Sequence, residues 1–264
     1  MSSVTNYPLL VFLLSFVAMW LATLGGAFLI GRTRQLEPEA REDFGIILAA
    51  TLTLLALIIG FSFSMALSRY DLRKSHEANE ANAIGTGYAR ADLLPAADAA
   101  NVRALLLRYL DQRILFYSAP DEAQLPHIAA ARARLQGELW SAVVAAAGAR
   151  PTPVVALAVA GMNDVLNSQA FAQAAWWNRI PGAAWIMMIA MGICCCVLAG
   201  YRVRSPKALG PRPLVLPFVF AVSLFFIADI DAPRGGLIRV QPENLASLAQ
   251  ALREDPTHKP RPAR

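Results

Sequence analysis

The side chains with the most chemical potential crowd a short run after the second long apolar block: Glu77, Asn79, Glu80 and Asn82. Glu77 and Glu80 lie three apart, so on a helix they share a face and can help bind a cation. Such acidic pairs are more often solvated or matched by arginine. Asn79 and Asn82 suit hydrogen bonds across a subunit interface, as buried asparagine fixes register in coiled coils. A second acidic pair, Asp229 and Asp231, follows the last apolar block. Two carboxylates are few for calcium. Capping, or pairing with Arg234 or Arg239, is their simpler role.

Other reactive constellations are missing. Cys194, Cys195 and Cys196 are adjacent, which neither closes a normal disulfide nor spaces a zinc site, and they read as packing residues. His76, His127 and His258 are dispersed, and no Ser/His/Asp set assembles. Gly85-Thr-Gly87 has no lysine at the spacing of a phosphate loop. Asp164 falls in a helical run and reads as a surface or interface residue. There is no Walker loop, dinucleotide fingerprint or HExxH. The expectation is a chain that is not an enzyme and has no metal or other cofactor.

The elements that carry these residues are apolar and long. Of 264 residues, 56% are hydrophobic and 16% charged, against about 25% charged in a typical soluble domain. Leu9–Ile30, Phe44–Leu67 and Ile180–Tyr201 contain no charge. Each has the roughly 20 apolar residues needed to cross a bilayer. Leu214–Ala228 is shorter and carries Pro217. It spans if Pro211–Pro213 and Asp229–Asp231 sit at the headgroups. The first block lacks a basic flank and exceeds a signal-peptide core, so it reads as a retained signal anchor. The expected architecture is an all-α membrane protein with four transmembrane helices per subunit and a helical extramembrane domain between helices 2 and 3. Its parts are residues 1–67, the extramembrane domain 68–179, residues 180–230, a C-terminal segment 231–255 and a disordered tail 256–264.

The second span is the most informative. At 3.6 residues per turn, Ala56, Gly60, Ser64 and Ser68 form a stripe of small residues suited to tight packing within the subunit, because it lets another helix approach closely. Thr51, Leu55, Ile58, Ser62, Met65 and Arg69 fall opposite. Around a symmetry axis that second face makes a greasy constriction with a positive ring at its mouth; constrictions of this kind gate by dewetting, and arginine rings favour anions. The competing reading puts this face against lipid, with Arg69 snorkelling to the headgroups. No glycine or proline interrupts residues 61–84. One helix is therefore expected to leave the membrane and enter the extramembrane domain.

That domain holds ten Lys/Arg and ten Asp/Glu between Ser68 and Asn178. Val102, Leu105, Leu106, Tyr109 and Leu110 recur at helical spacing. Ala119–Pro120 and Arg150–Pro151–Thr152–Pro153 punctuate it into an expected three or four helices. An amphipathic helix with Leu245, Leu248 and Leu252 on one side follows Pro242. The net charge is +5, carried by short loops and the tail, with no basic aromatic stripe for nucleic acid. Arg32, Arg34, Arg41, Arg202, Arg204, Lys207 and Arg212 lie on one side of the membrane. Arg69, Arg73, Lys74, Arg179, Arg234 and Arg239 lie on the other, so the loop charges barely favour either orientation.

Gly60-Phe-Ser-Phe-Ser-Met-Ala-Leu-Ser-Arg-Tyr-Asp, Glu80-Ala-Asn-Ala-Ile-Gly-Thr, Arg90-Ala-Asp-Leu-Leu-Pro, Asn178-Arg-Ile-Pro and Asp229-Ile-Asp-Ala-Pro-Arg-Gly-Gly-Leu-Ile-Arg-Val cover most of residues 45–245. Together they resemble the bacterial bestrophin-like family. The family's name marks a distant similarity to bestrophins, which are homopentameric channels, anion-conducting in animals and reported to prefer cations in bacteria. The resemblance implies a pore lined by the second helix with a neck of bulky apolar residues, a part that Leu55, Ile58, Ser62 and Met65 take by face and order. It also implies a homo-oligomer, a pentamer, conducting inorganic ions across the bacterial inner membrane, with the helical domain cytoplasmic. The acidic run of the animal calcium clasp has no counterpart beyond Asp229 and Asp231. The expected function is passive ion conduction; the alternative is a membrane-anchored scaffold or sensor whose helical domain binds a partner.

Overall fold

The computed structural model describes residues 4–32, 38–119, 122–201 and 212–254. The expected disordered tail, and the loop charges Arg34, Arg202, Arg204 and Lys207, lie outside the described residues. Among those described there are eight α-helices and no strand: α1 (Pro8–Arg32), α2 (Pro38–Arg90), α3 (Ala96–Ser118), α4 (Leu125–Ala149), α5 (Pro153–Trp177), α6 (Gly182–Tyr201), α7 (Val215–Asp231) and α8 (Glu243–Glu254).

Two compact units form. One comprises residues up to Tyr70 together with Arg179–Arg239; the other comprises Asp71–Asn178 with residues from Val240 onward. The expected C-terminal segment 231–255 is thus divided: the loop after α7 belongs to the first unit and α8 to the second.

Helix α2 runs for 53 residues, about 80 Å at 1.5 Å per residue. Leu94 precedes Pro95 and is extended (φ −88°, ψ 163°), with its N–H closing a 3₁₀ turn on the Ala91 carbonyl at 3.0 Å. A residue before proline is pushed out of the helical region, so α2 ends there. Helix α5 starts where Thr152 accepts a hydrogen bond from the Val155 N–H at 3.3 Å with Pro153 in the first turn, an N-cap that satisfies an otherwise orphaned donor. It stops at Asn178, extended ahead of Pro181.

The first unit is built on the pairing of α1 with α6. A Cβ placed on Gly26 would strike the Val197 carbonyl, one on Gly200 the Thr23 carbonyl, and one on Gly192 the Met19 side chain at 2.5 Å. The two backbones therefore touch where Gly26 meets Val197 and Gly200 meets Thr23, the close approach small residues permit in membranes; Gly192, Cys196 and Gly200 are all buried on this side of α6. Met19, Leu55, Met188, Leu224 and Ile227 complete this core. Among the described residues, three stretches are long and apolar enough to cross a membrane: Pro8–Phe28, one within Asp43–Leu93 and one within Pro153–Tyr201. Helix α7 has 17 residues, about 25 Å, against a hydrocarbon layer of about 30 Å.

The second unit packs Ile84, Leu106, Tyr109, Leu110, Leu139, Met162 and Val165 between its helices. Leu245 and Ala249 of α8 are buried in it. Leu248 lies against Gly85, where an added Cβ would meet its Cδ1 at 3.3 Å.

Candidate functional site

In the first unit the two faces of α2 are the reverse of the sequence expectation. Leu55 is 1% exposed and Ser62 5%, both against the protomer's own core with Leu48 and Ala66. Ile58 is half-buried beside them, and Met65 is exposed at the edge of this face. The small residues Ala56, Gly60, Ser64 and Ser68 are exposed, and a Cβ at Gly60 would meet nothing within 4 Å. The physical reason is that small residues mark close approach without naming the partner, and inside the protomer Gly192, Cys196 and Gly200 of α6 supply the close approach. The outward side of α2 carries Thr53, Leu57, Gly60, Phe61, Ser64 and Ser68, all exposed, within about 60° of a line opposite Leu55. Phe61 is 65% exposed and Leu57 54%. The Thr53 hydroxyl is held by the Ala49 carbonyl at 2.9 Å.

Arg69 does not project as a bare charge. Its Nη1 lies 3.9 Å from Asp231 Oδ1, and Arg179 Nε is 3.4 Å from Oδ2 of the same carboxylate. Asp231 also accepts the Ile180 N–H at 3.1 Å. One buried carboxylate thus ties α2, the α5–α6 linker and the end of α7. Asp229 accepts the N–H groups of Leu237 and Ile238 at 2.6 and 3.0 Å, fixing the loop after α7. Arg239 donates to the Gly236 carbonyl at 2.7 Å rather than to either aspartate. Arg69 and Arg179, from other helices, are thus partners of Asp231 that sequence proximity did not name. Among the described residues no cluster of three or more His, Cys, Asp or Glu has metal-holding geometry.

In the second unit the acidic pair faces inward. Glu80 is fully buried and takes a two-pronged hydrogen bond from Arg113, through Nε to Oε1 and Nη2 to Oε2 at 3.0 Å, with the Tyr117 hydroxyl at 3.4 Å. Burial pulls the Arg113 pKa down, and the Glu80 carboxylate more than offsets this, leaving it above its ordinary value. Burial, and then Arg113, push Arg132 the other way. Glu77 is also buried and accepts from Asn244 Nδ2 at 2.6 Å and the Leu245 N–H at 2.9 Å. It caps the start of α8, where the helix dipole favours a carboxylate. The sequence also offers Glu77, Asn79, Glu80 and Asn82 as interface or ion-vestibule residues, and for the two carboxylates that role conflicts with their burial: both spend their lone pairs inside the unit. Asn79 and Asn82 are exposed.

A family model of the bestrophin-like domain matches residues 10–245. The chain belongs to the bestrophin-like family. A bacterial bestrophin homologue from Klebsiella pneumoniae shares its fold, with a TM-score of 0.61 at 15% identity over 92% of this chain and 95% of that one. A variant form of that homologue gives 0.62 at 13% identity over 93% and 97%. No curated protein matches this chain in sequence.

Within this bestrophin-like chain, sequence reasoning passed over two groups of residues. Gly192, Cys196 and Gly200 stand four apart in an otherwise bulky helix, a signal that was available. Arg113 and Arg179 were legible only as charges, because their carboxylate partners arrive from distant helices.

Proposed function

We propose that this chain is one subunit of an oligomeric ion channel that passes ions down their gradient through a pore lined by α2. In this reading α7 crosses as the fourth membrane helix, short as it is, with Pro213 and Asp229–Asp231 at the two headgroup layers. Copies assemble around an axis, as a pentamer by resemblance, in the bacterial inner membrane with the second unit cytoplasmic.

The observation that carries the reading is the division of labour on α2. One side is committed to the protomer core, while the opposite side, fully apolar or hydroxylic, is uncovered and holds no charge from residue 44 to 67. Neighbouring copies of α2 approach one another over Ala56 and Gly60, while Leu57, Phe61 and Ser64 face the axis, Leu57 and Phe61 forming the greasy neck. A narrow apolar neck gates by dewetting. Arg69, matched by Asp231, supplies no open positive ring, so this pore assignment supersedes the one centred on Leu55, Ile58, Ser62 and Met65.

The test is conductance of the purified protein in planar bilayers. Currents are expected from the unmodified chain, with Leu57→Ala and Phe61→Ala changing single-channel conductance and Leu55→Ala leaving it unchanged. Absence of current under every ion composition and voltage overturns the reading and favours the membrane-anchored scaffold.

A further inference from the structure

We propose that the first unit holds a tightly bound anionic phospholipid, one acyl chain in a cleft among α1, α6 and α7 and its headgroup against Arg179. The cleft has a volume of about 280 Å³ and is walled by Val11, Leu14 and Ala18 of α1, Trp185 and Ile189 of α6 and Leu224 of α7. Its lining is almost wholly carbon. Trp185 and Leu224 form a buried floor, while Leu14 is open on the rim. In a helix bundle packed as closely as α1 and α6, a hollow of this size at the surface loses dispersion contacts unless something apolar fills it. The filler available to a membrane helix is a lipid tail.

The polar end of the cleft decides which lipid. Thr5 lines it, and the Thr5 carbonyl accepts from Arg179 Nη2 at 3.4 Å. Arg179 also donates to Asn6 Oδ1, and its side chain keeps 20% of its surface exposed. The loop after α7 presses Gly235 onto the Asn6 backbone, so the short turn Val4–Asn6 is fixed between that loop and Arg179. Arg69, Arg179 and Arg239 gather at this end against two carboxylates, Asp229 and Asp231. Asp229 is already engaged by two backbone N–H groups. The surplus is positive, which matches a phosphate diester carrying a net negative charge, and arginine is well suited to phosphate oxygens. The inference needs these helices in a bilayer but not conduction, so a chain that holds the lipid and passes no current leaves it intact.

The test is native mass spectrometry of the full chain in detergent, doped with equal amounts of phosphatidylglycerol and phosphatidylcholine. The expected result is retention of one phosphatidylglycerol per protomer, favoured about tenfold or more over phosphatidylcholine, the factor that about 1.4 kcal/mol of selective interaction supplies. Ala18→Phe fills the cleft, leaves every arginine in place, and is expected to reduce retention about tenfold. Arg179→Gln is expected to abolish the preference for phosphatidylglycerol and Arg179→Lys to restore most of it. Equal retention of the two lipids, or full retention by Ala18→Phe, overturns the proposal. So does an Ala18→Phe variant that loses subunits instead of lipid, since the cleft is then occupied by a second copy.

Discussion

Helices α6 and α2 each carry small residues four apart, and the two stripes meet opposite fates. On α6, Gly192, Cys196 and Gly200 turn inward, and the α1 backbone lies so close that a single added carbon at Gly200 collides with the Thr23 carbonyl. On α2, Ala56, Gly60, Ser64 and Ser68 turn outward, with open space beyond Gly60. Lipid gives no hydrophobic reason to bury one apolar face rather than another, so close packing alone sorts them. The stripe on α6 holds the protomer together, and the stripe on α2 remains for something outside it.

The same inside–outside contrast is sharpest in the second unit, where charge adds to burial. Breaking a buried ion pair by removing one partner costs about 3–5 kcal/mol. Glu80→Gln, which strips Arg113 of its carboxylate, is expected to destabilise by that amount. Asn82→Gln, two positions on and exposed, is expected to change stability by less than about 0.5 kcal/mol. Chemical denaturation followed by circular dichroism checks both; equal effects would break the contrast.

In the first unit the glycines give the next largest difference. Gly200→Ala forces carbon into backbone and is expected to cost about 1–3 kcal/mol, the usual penalty of overpacking, seen as a lower melting temperature in detergent. Gly60→Ala meets nothing inside the protomer and is expected to leave protomer stability within about 0.5 kcal/mol of the unmodified chain, its effect falling instead on the assembly of copies. Destabilisation of the two variants to the same degree would show that Gly60 also lies in a protomer contact.

The smallest expected effect is on pH dependence. Burial, and then the Glu80 carboxylate, raise the phenol pKa values of both Tyr109 and Tyr117 above the ordinary value near 10. A raised folded-state pKa means the native chain holds its protons longer than the unfolded one. Its contribution is fully present below about pH 10 and is lost as pH climbs toward the folded-state value. Stability of the second unit is therefore expected to fall above about pH 10, and Tyr117→Phe to flatten that fall while changing stability at neutral pH by no more than about 1 kcal/mol. Alkaline titration of tyrosinate absorbance against melting temperature checks this.

What the sequence made legible was set by strong local physics. The charge-free run Phe44–Leu67, the unbroken stretch 61–84 and the punctuation at Ala119–Pro120 and Arg150–Pro153 each act through neighbouring residues. The orientation of α2 about its own axis was not legible, because both of its faces are apolar and neither periodicity nor propensity separates them. Arg69 reads as a pore ring until Asp231 is brought to it from the far end of the chain. Glu77 and Glu80 read as a solvated or arginine-paired face, or a cation site, and their partners stay unnamed until Arg113 and the start of α8 fold over them. In each case the deciding partner is distant in sequence.

The most direct test of the outward face of α2 is thiol accessibility during conduction. In a background with the exposed Cys194 replaced by alanine, Ser64→Cys and Ser62→Cys are compared in planar bilayers before and after a charged thiol reagent. The account predicts that the reagent blocks current through Ser64→Cys and leaves Ser62→Cys unchanged. Block at Ser62→Cys alone, or no effect at either position in a conducting protein, would contradict it.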